Sequence, residues 1–317
     1  MKNQNGVQLP IKCLSDVEQV DLLSLPHISC GIKSLDRLIK GLFESQLVVI
    51  TGKRGQGKST FASWILANAL DQGKNIFAYS GELPDYNFRS WLDMQIAGQA
   101  NINTEYNEWN DANYTIKEEA AEKLSEFYAC RAYIYDNSAI PDKTVTLQET
   151  ILSSIEYAAD NLGCKVILVD NIMTAVNMLD KDAYAVQSGF VKDLKDLATR
   201  KKVTILLIAH PRKTKQGEEI NNDDVSGSSD ITNLADVVLT YSRYVEKDKS
   251  GNPVKSNVPP EYQSIISVMK NRLTGRTAMF DEAIKVKYSR MTKRIISDDD
   301  KDYNKLMCCF KQDYLPF

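Results

Sequence analysis

Residues 47–60, Leu-Val-Val-Ile-Thr-Gly-Lys-Arg-Gly-Gln-Gly-Lys-Ser-Thr, run an apolar strand straight into a glycine-rich loop. Gly52 to Ser59 fit the pattern G-x-x-x-x-G-K-S/T without a mismatch, and Phe61, Ile65 and Ala69 then fall on one helical stripe. Strand, loop and helix in this order form a phosphate cradle. Glycines let successive backbone N–H groups turn inward, and the new helix adds the positive end of its dipole. The loop residues Gly52, Lys53, Arg54, Gly55, Gln56, Gly57, Lys58, Ser59 and Thr60 are therefore candidate nucleotide contacts. Lys58 would reach the β- and γ-phosphates, and the Ser59 hydroxyl would ligate Mg²⁺. A glycine-rich turn that matches by chance is the alternative, and the strand–loop–helix context argues against it. Nucleoside triphosphate binding is the expectation.

The rest of the chain supports a parallel sheet. Candidate strands at 47–51, 75–80, 131–135, 165–170, 203–209 and 236–242 alternate with helical patterns at 58–72, 85–98, 145–162 and 184–201. Such alternation predicts right-handed βαβ units covered on both faces. The polar and aromatic stretch 101–128 reads as a loop plus a solvated helix. Residues 244–261 read as a flexible excursion, with two further strands (263–271 and 277–288) forming a hairpin around Thr274-Gly275. Residues 1–30 read as an N-terminal arm with a short amphipathic stretch at Val17, Val20, Leu22 and Leu23. Residues 31–295 form the main domain and 296–317 a tail that starts with an acidic run.

Composition narrows the partners. A net charge of −3 over 317 residues means that any nucleic-acid contact must come from a local basic patch. The six cysteines form no C-x-x-C pair and no zinc spacing with the two histidines, so they read as reduced thiols. The N-terminus carries no apolar signal core, and no run reaches the roughly 18 apolar residues of a membrane span. A soluble, cytoplasmic protein without a membrane partner is expected.

Several strands end in residues able to act on a bound triphosphate. Lys165-Val-Ile-Leu-Val-Asp170 places a carboxylate at a strand tip, where it could hold a metal-bound water. Asn75–Ser80 is followed by Glu82, placed to orient and deprotonate an attacking water. The alternative for Glu82 is an acid favoured at a helix start. The strand 203–209 ends in His210-Pro-Arg-Lys213, which would set His210 toward the γ-phosphate, although a lone histidine is more often structural. Arg212, Lys213 and Lys215 then lie on a loop that could grip a nucleic-acid backbone or could be a solvated surface loop. Lys270 and Arg272 share one face of a strand, with no acid between them. They could act on a neighbouring subunit's γ-phosphate, but by chemistry alone a charged edge strand is the better reading.

Taken in order, Gly31-Ile-Lys-Ser-Leu-Asp36, Gly41-Leu42, the phosphate loop, Ser80-Gly-Glu-Leu-Pro84, Arg89, the strand to Asp170, His210-Pro-Arg-Lys213, Ser226-Gly-Ser228 and Leu234-Ala-Asp-Val237 resemble the ATPase domain of DnaB-type hexameric replicative helicases. The resemblance is strongest to the Twinkle and phage primase-helicase branch, and it spans roughly residues 30–290. It implies a RecA-like P-loop NTPase core: a central, mostly parallel sheet covered by helices, with a C-terminal β-hairpin. It also implies a homo-oligomeric ring, expected to be a hexamer, with ATP and Mg²⁺ between subunits and single-stranded DNA in the channel.

Carried over by position, Lys58 and Ser59 bind phosphate and Mg²⁺, Glu82 is the catalytic base, Asp170 the second metal residue and His210 the γ-phosphate sensor. Lys270 and Arg272 become trans-acting cations, reversing the chemistry-only reading. Arg212, Lys213 and Lys215 would face DNA, with Ser226-Gly227 at the far end of their loop. Arg243 matches a nucleotide-contacting position, and the N-terminal arm would dock on a neighbour. Glu44-Ser45 stand where relatives often have Pro-Gly. No primase or zinc-binding module precedes residue 30, so priming is expected from a separate polypeptide or from a longer protein of which this is part. The competing expectation is a RecA/KaiC-like protein that assembles on DNA or a partner when ATP binds, without unwinding. A recombinase filament comes third, since no separate DNA-pairing domain is visible.

Overall fold

A computed structural model of the chain describes residues 11–21, 24–139, 144–176, 183–211, 229–245, 261–300 and 305–311. Its strands are β1 (His27–Ile28), β2 (Leu42–Phe43), β3 (Leu47–Thr51), β4 (Asn75–Ser80), β5 (Ile102–Tyr106), β6 (Ala112–Ile116), β7 (Ala132–Ile134), β8 (Cys164–Asp170), β9 (Thr204–Ala209), β10 (Val237–Arg243), β11 (Ser264–Asn271), β12 (Ile284–Tyr288) and β13 (Ile295–Ile296). The helices are α1 (Lys33–Ile39), α2 (Lys58–Asp71), α3 (Asp85–Ala97), α4 (Glu118–Tyr128), α5 (Leu147–Asn161), α6 (Ile172–Ala175), α7 (Ala183–Lys201) and α8 (Ser229–Leu234).

Among the described residues the main sheet has nine strands in the order β13-β12-β11-β10-β3-β9-β8-β4-β7. Strands β10, β3, β9, β8, β4 and β7 are parallel, while β11, β12 and β13 add antiparallel strands at one edge. The sheet is buried on both faces, and the period-2 geometry of a strand divides its residues between two cores. Val48 and Ile50 of β3 pack with Leu35 of α1, Phe61 of α2, Phe88 of α3 and Phe127 of α4 on one side. Leu47 and Val49 pack with Ile151 of α5, Ile172 of α6, Phe190 of α7 and Ile231 of α8 on the other. This explains why β3, β8 and β9 read as unbroken apolar runs and not as alternating ones.

The fold class matches the expectation, and two details differ from it. Residues 101–128 hold an antiparallel hairpin, β5 on β6 in register Tyr106↔Ala112, followed by a helix that is not solvated all round. The hairpin turn is fixed by Asn107, whose Oδ1 accepts from the N–H groups of Trp109 at 3.0 Å and Asp111 at 2.8 Å. In α4, Ala120, Leu124 and Phe127 are buried at helical spacing against the core. The C-terminal hairpin is present, but its second strand is shorter than expected. After a bridge between Val268 and Ala278 the chain turns at Phe280–Glu282, where Phe280 has φ +53°, and only then resumes as β12. The turn itself rests on Asn271, which donates to Thr274 Oγ1 at 2.6 Å, and on Gly275 at φ +69°. Residues 246–260 of the expected excursion, and Leu22 and Leu23 of the arm, lie outside the described residues.

The segment after β13 returns to the domain. Asp299 pairs with Arg37 at 2.7 Å and Asp300 with Lys33 at 3.5 Å, while Met307 and Cys309 enter the core beside α2. Arg294 holds this return in place. It is 1% exposed, and its guanidinium donates to the carbonyls of Gln95 (2.7 Å), Ile96 (3.2 Å) and Lys305 (2.7 Å). Two of those carbonyls belong to the last turn of α3, where backbone acceptors have no helical partner. Arg294→Ala would orphan three acceptors and open a void. A stability loss of about 3 kcal/mol or more is expected, read as a lower denaturant midpoint.

Candidate nucleotide site at the strand tips

β3 lies between β9 and β10, and the chain leaves it through α2 to reach β4, two strands beyond β9. A crevice forms where the winding changes direction, at the carboxyl ends of the strands. Residues Arg54, Gly57, Lys58, Ser59, Glu82, Asp170 and His210 all line one cleft of about 480 Å³ there. Leu83, Trp91 and Ile208 also line it, and none of the three was a candidate site residue from sequence.

The loop is shaped by its neighbour β10. A Cβ on Gly52 would lie 2.3 Å from the Tyr241 carbonyl oxygen, and one on Gly57, at φ +99°, would lie 3.1 Å from the Tyr241 ring. That ring stacks on Phe61 of α2 with centroids 5.1 Å apart. The glycines are thus set by backbone packing as well as by phosphate access. Arg243 closes the outer flank, its backbone N–H on Gln56 Oε1 at 2.5 Å and its guanidinium on the Gly55 carbonyl at 3.3 Å.

Lys58 is 5% exposed and curls onto its own loop, donating to the carbonyls of Gly52 at 2.8 Å and Lys53 at 3.0 Å. Burial pulls its ammonium down to about 8, against the pull of Asp170 and Glu82 in the other direction. A phosphate in the cradle would restore the full charge.

Asp170 is 1% exposed, and burial pushes its carboxyl up to about 6. A hydrogen bond from Ser59 opposes this rise, the Glu82 charge reinforces it and Lys58 opposes it. Its Oδ2 has no hydrogen-bond partner among the described residues. An orphaned, buried carboxylate oxygen beside a serine hydroxyl is a hard, all-oxygen donor set that fits Mg²⁺. That ion takes one or two protein ligands and completes its shell with water and phosphate. No cluster of three or more His, Cys, Asp or Glu side chains that could hold a metal occurs among the described residues.

Glu82 and His210 meet at the tips of β4 and β9. Glu82 turns into the cleft after Gly81, where a Cβ would strike Thr174 Oγ1 at 2.2 Å. His210 Nε2 lies 3.4 Å from Glu82 Oε1. Burial lowers the pKa of His210, nearby Lys58 adds to this and Glu82 opposes it, which keeps the ring neutral. Asn171, absent from the sequence expectations, stands between them. Its Nδ2 lies 2.6 Å from Glu82 Oε1 and 3.1 Å from His210 Nε2. An asparagine between a strand-ending aspartate and a helix is an N-cap signal that could have drawn notice. Nothing in the sequence marks Tyr241, which looks like one more core residue.

Lys270 and Arg272 are brought together but stand elsewhere. Asn271 pairs with Val237 at the start of β10, so both cations sit at the amino ends of the parallel strands. The five residues of β3 separate that edge from the phosphate loop, about 15 Å at strand rise. No acid stands between them in sequence, yet both have partners in their own chain. Arg272 pairs with Asp236 Oδ1 at 3.1 Å and donates to the Asn233 carbonyl at 2.7 Å. Lys270 donates to the carbonyls of Thr232 at 2.7 Å and Asn233 at 3.0 Å. The acid lies far away in sequence, before β10, which is why a local reading missed it. Arg212, Lys213, Lys215, Ser226 and Gly227 lie outside the described residues.

Comparison with known proteins agrees with this architecture. The family described as DnaB-like helicase C terminal domain matches residues 27–294. Replicative DNA helicase DnaB of Pasteurella multocida (strain Pm70) is 23% identical over 287 residues, covering 84% of this chain and 59% of that protein. The protein of the same description from Haemophilus influenzae (strain ATCC 51907 / DSM 11121 / KW20 / Rd) is 22% identical over 302 residues, covering 88% and 62%. The chain thus spans about three fifths of the length of these curated relatives. Among solved structures, a DnaB-like replicative helicase described with its interactions with primase superposes with TM-score 0.63 at 16% identity, covering 86% of this chain and 62% of its own. A second solved structure, described as an ATPase domain, superposes with TM-score 0.62 at 14% identity, covering 86% and 92%. The described helices include none long and apolar enough to cross a membrane.

Proposed function

The chain belongs to the DnaB-like helicase C-terminal domain family, and from that premise we propose that it is the ATP-hydrolysing motor of a replicative DNA helicase, moving along single-stranded DNA as a ring. The observation that carries the proposal is the meeting of Glu82, Asp170 and His210, from three neighbouring strand tips, in one cleft with Lys58. A binding fold needs only the phosphate cradle. A carboxylate free to take a proton, set beside a neutral imidazole, is needed only when a water is to be activated.

In this reading the N–H groups of residues 52–59 bind the phosphates, and Lys58 leaves the Gly52 and Lys53 carbonyls for the β- and γ-oxygens. Mg²⁺, held by Ser59 and Asp170 together with the nucleotide, would neutralise charge on the β- and γ-phosphates when bound. Glu82 orients the attacking water and accepts its proton as the bond from phosphorus to the leaving oxygen breaks. His210 senses the γ-phosphate, and Arg243 flanks the loop near the rest of the nucleotide. Lys270 and Arg272 lie a full strand length from their own phosphate loop, so the site they can reach belongs to the next subunit. The motor occupies residues 31–295, flanked by the arm 1–30, which docks on a neighbour, and the tail 296–317. A DnaB-like relative has been described with its interactions with primase, and a separate primase is the partner proposed here.

Arg212, Lys213 and Lys215, with Ser226 and Gly227, are proposed to hold the DNA backbone. ATP hydrolysis is expected to rise on adding single-stranded DNA, and a forked duplex should be unwound. Replacing the three cations with alanine should weaken DNA binding equally for all sequences. It should also flatten the dependence of log K on log salt by about 2, as loss of three phosphate contacts on a single strand predicts. Hydrolysis without unwinding would instead favour an ATP-switched binding protein. An unchanged salt slope would move the DNA site elsewhere.

A further inference from the structure

Asn171 occupies a position that no family motif assigned above accounts for. It follows Asp170 at the tip of β8, joined by a cis peptide bond, and its side chain works at both ends. Oδ1 accepts from the backbone N–H groups of Met173 at 2.8 Å and Thr174 at 3.3 Å, capping α6. Those two donors fix which way the amide faces, because exchanging its oxygen and nitrogen would set N–H against N–H. Nδ2 is therefore the atom that faces the cleft. It has two hydrogens and two acceptors within reach, Glu82 Oε1 at 2.6 Å and His210 Nε2 at 3.1 Å.

The protonation pattern of His210 follows. With an N–H donor aimed at it, Nε2 must carry its lone pair, so the ring proton sits on Nδ1. Nδ1 has no partner among the described residues. Without Asn171 the ring would take the other tautomer and donate from Nε2 to Glu82, 3.4 Å away. Glu82 Oε1 would then be aligned by the imidazole and no longer by an amide fixed to α6.

We propose that Asn171 is a positioning residue that couples the two halves of the hydrolytic site, holding the Glu82 carboxylate and the His210 ring apart in orientation and joined through one amide. Movement of His210 toward or away from the γ-phosphate then changes the hydrogen bond that aligns Glu82. The proposal rests on the roles given to Glu82 and His210 above.

The test uses two variants that preserve the helix cap. Asn171→Ser keeps an oxygen for the α6 N–H groups but cannot reach the cleft. Asn171→Asp keeps length and cap but turns the donor into an acceptor facing Glu82. Asn171→Ser should retain the thermal transition of the parent. Both variants should show a KM for ATP changed less than about threefold, while kcat falls at least about tenfold. The fall is larger for Asp, whose new carboxylate repels Glu82 and lowers the thermal transition as well. A second readout is specific to the proposal. The chain has only two histidines, His27 and His210, so side-chain ¹⁵N spectra of His-labelled protein resolve His210 once His27→Gln supplies the assignment. The Nδ1–H tautomer is expected in the parent and the Nε2–H tautomer in Asn171→Ser, which a purely structural cap would not produce. If kcat stays within about twofold and the tautomer is unchanged, the coupling role is wrong. Glu82→Gln serves as the control. Should it remain fully active, the assignment of the base itself has failed, and that is a different result from loss in Glu82→Gln with an indifferent Asn171.

Discussion

Lys58→Ala is expected to abolish ATP hydrolysis, reducing it by at least about a hundredfold, equivalent to roughly 3 kcal/mol of lost transition-state stabilisation. The size follows from where the ammonium sits. It is 5% exposed, inside the cradle, and within the influence of Asp170 and Glu82. A charge in such a place acts on a phosphate with little screening by water, and no neighbouring cation of the same loop is as buried. Arg54 sits on the cleft wall but is more exposed. The loss should appear in phosphate release at saturating ATP, with the fold intact by circular dichroism. Lys58 binds only two loop carbonyls in this state, and its removal leaves the strands untouched. Full residual turnover would remove the phosphate-loop assignment and the catalytic reading with it.

Arg272→Ala carries the second large effect. The guanidinium is half-exposed, held by Asp236 on one side and the Asn233 carbonyl on another, with donors left over for an incoming anion. Together with Lys195 and Lys270 it outnumbers the single charge of Asp236, leaving a local excess of positive charge at the edge of the subunit. If that excess serves the next subunit's γ-phosphate, removing Arg272 should cost turnover by about 10³-fold or more. ATP binding by the variant should be unchanged, because its own cleft is untouched. Mixing is the decisive measurement. Variant chains added to normal ones should depress turnover more steeply than in proportion to their share, since each spoils a site that it does not own. A strictly proportional decline, or an inert variant, would confine Arg272 to its salt bridge with Asp236.

Much of the architecture was legible in the sequence. The strand ends at Thr51, Ser80 and Asp170 fall where the residue pattern put them, because unbroken apolar runs bounded by glycine or acid leave few alternatives. The site was legible to the extent that its parts lie on the strand tips themselves. Contacts between residues distant in sequence were hidden. Asp236 reaches Arg272 across two strands, and Asn171 joins residues from β4 and β9, so neither relation leaves a local spacing to detect. The β5–β6 hairpin was missed for another reason. β5 is exposed after Ile102 and carries no alternation. In β6, Ala112, Tyr114 and Ile116 alternate with Asn113 and Thr115, but the strand is only five residues long beside a partner that gives no matching signal.

Asp236 has one more partner, since its Oδ2 accepts from the backbone N–H of Leu47 at 2.8 Å, the first residue of β3. One carboxylate therefore ties the root of the strand whose far end carries the phosphate loop to the half-exposed Arg272. β3 is hydrogen-bonded on both sides along its length and is too stiff to absorb a shift at one end. A displacement of the loop on nucleotide binding would be carried along it toward Asp236 and Arg272. In a ring, each chain would then pass a report of its own occupancy to the chain beside it, and the order in which subunits fire would be written into the length of a single five-residue strand.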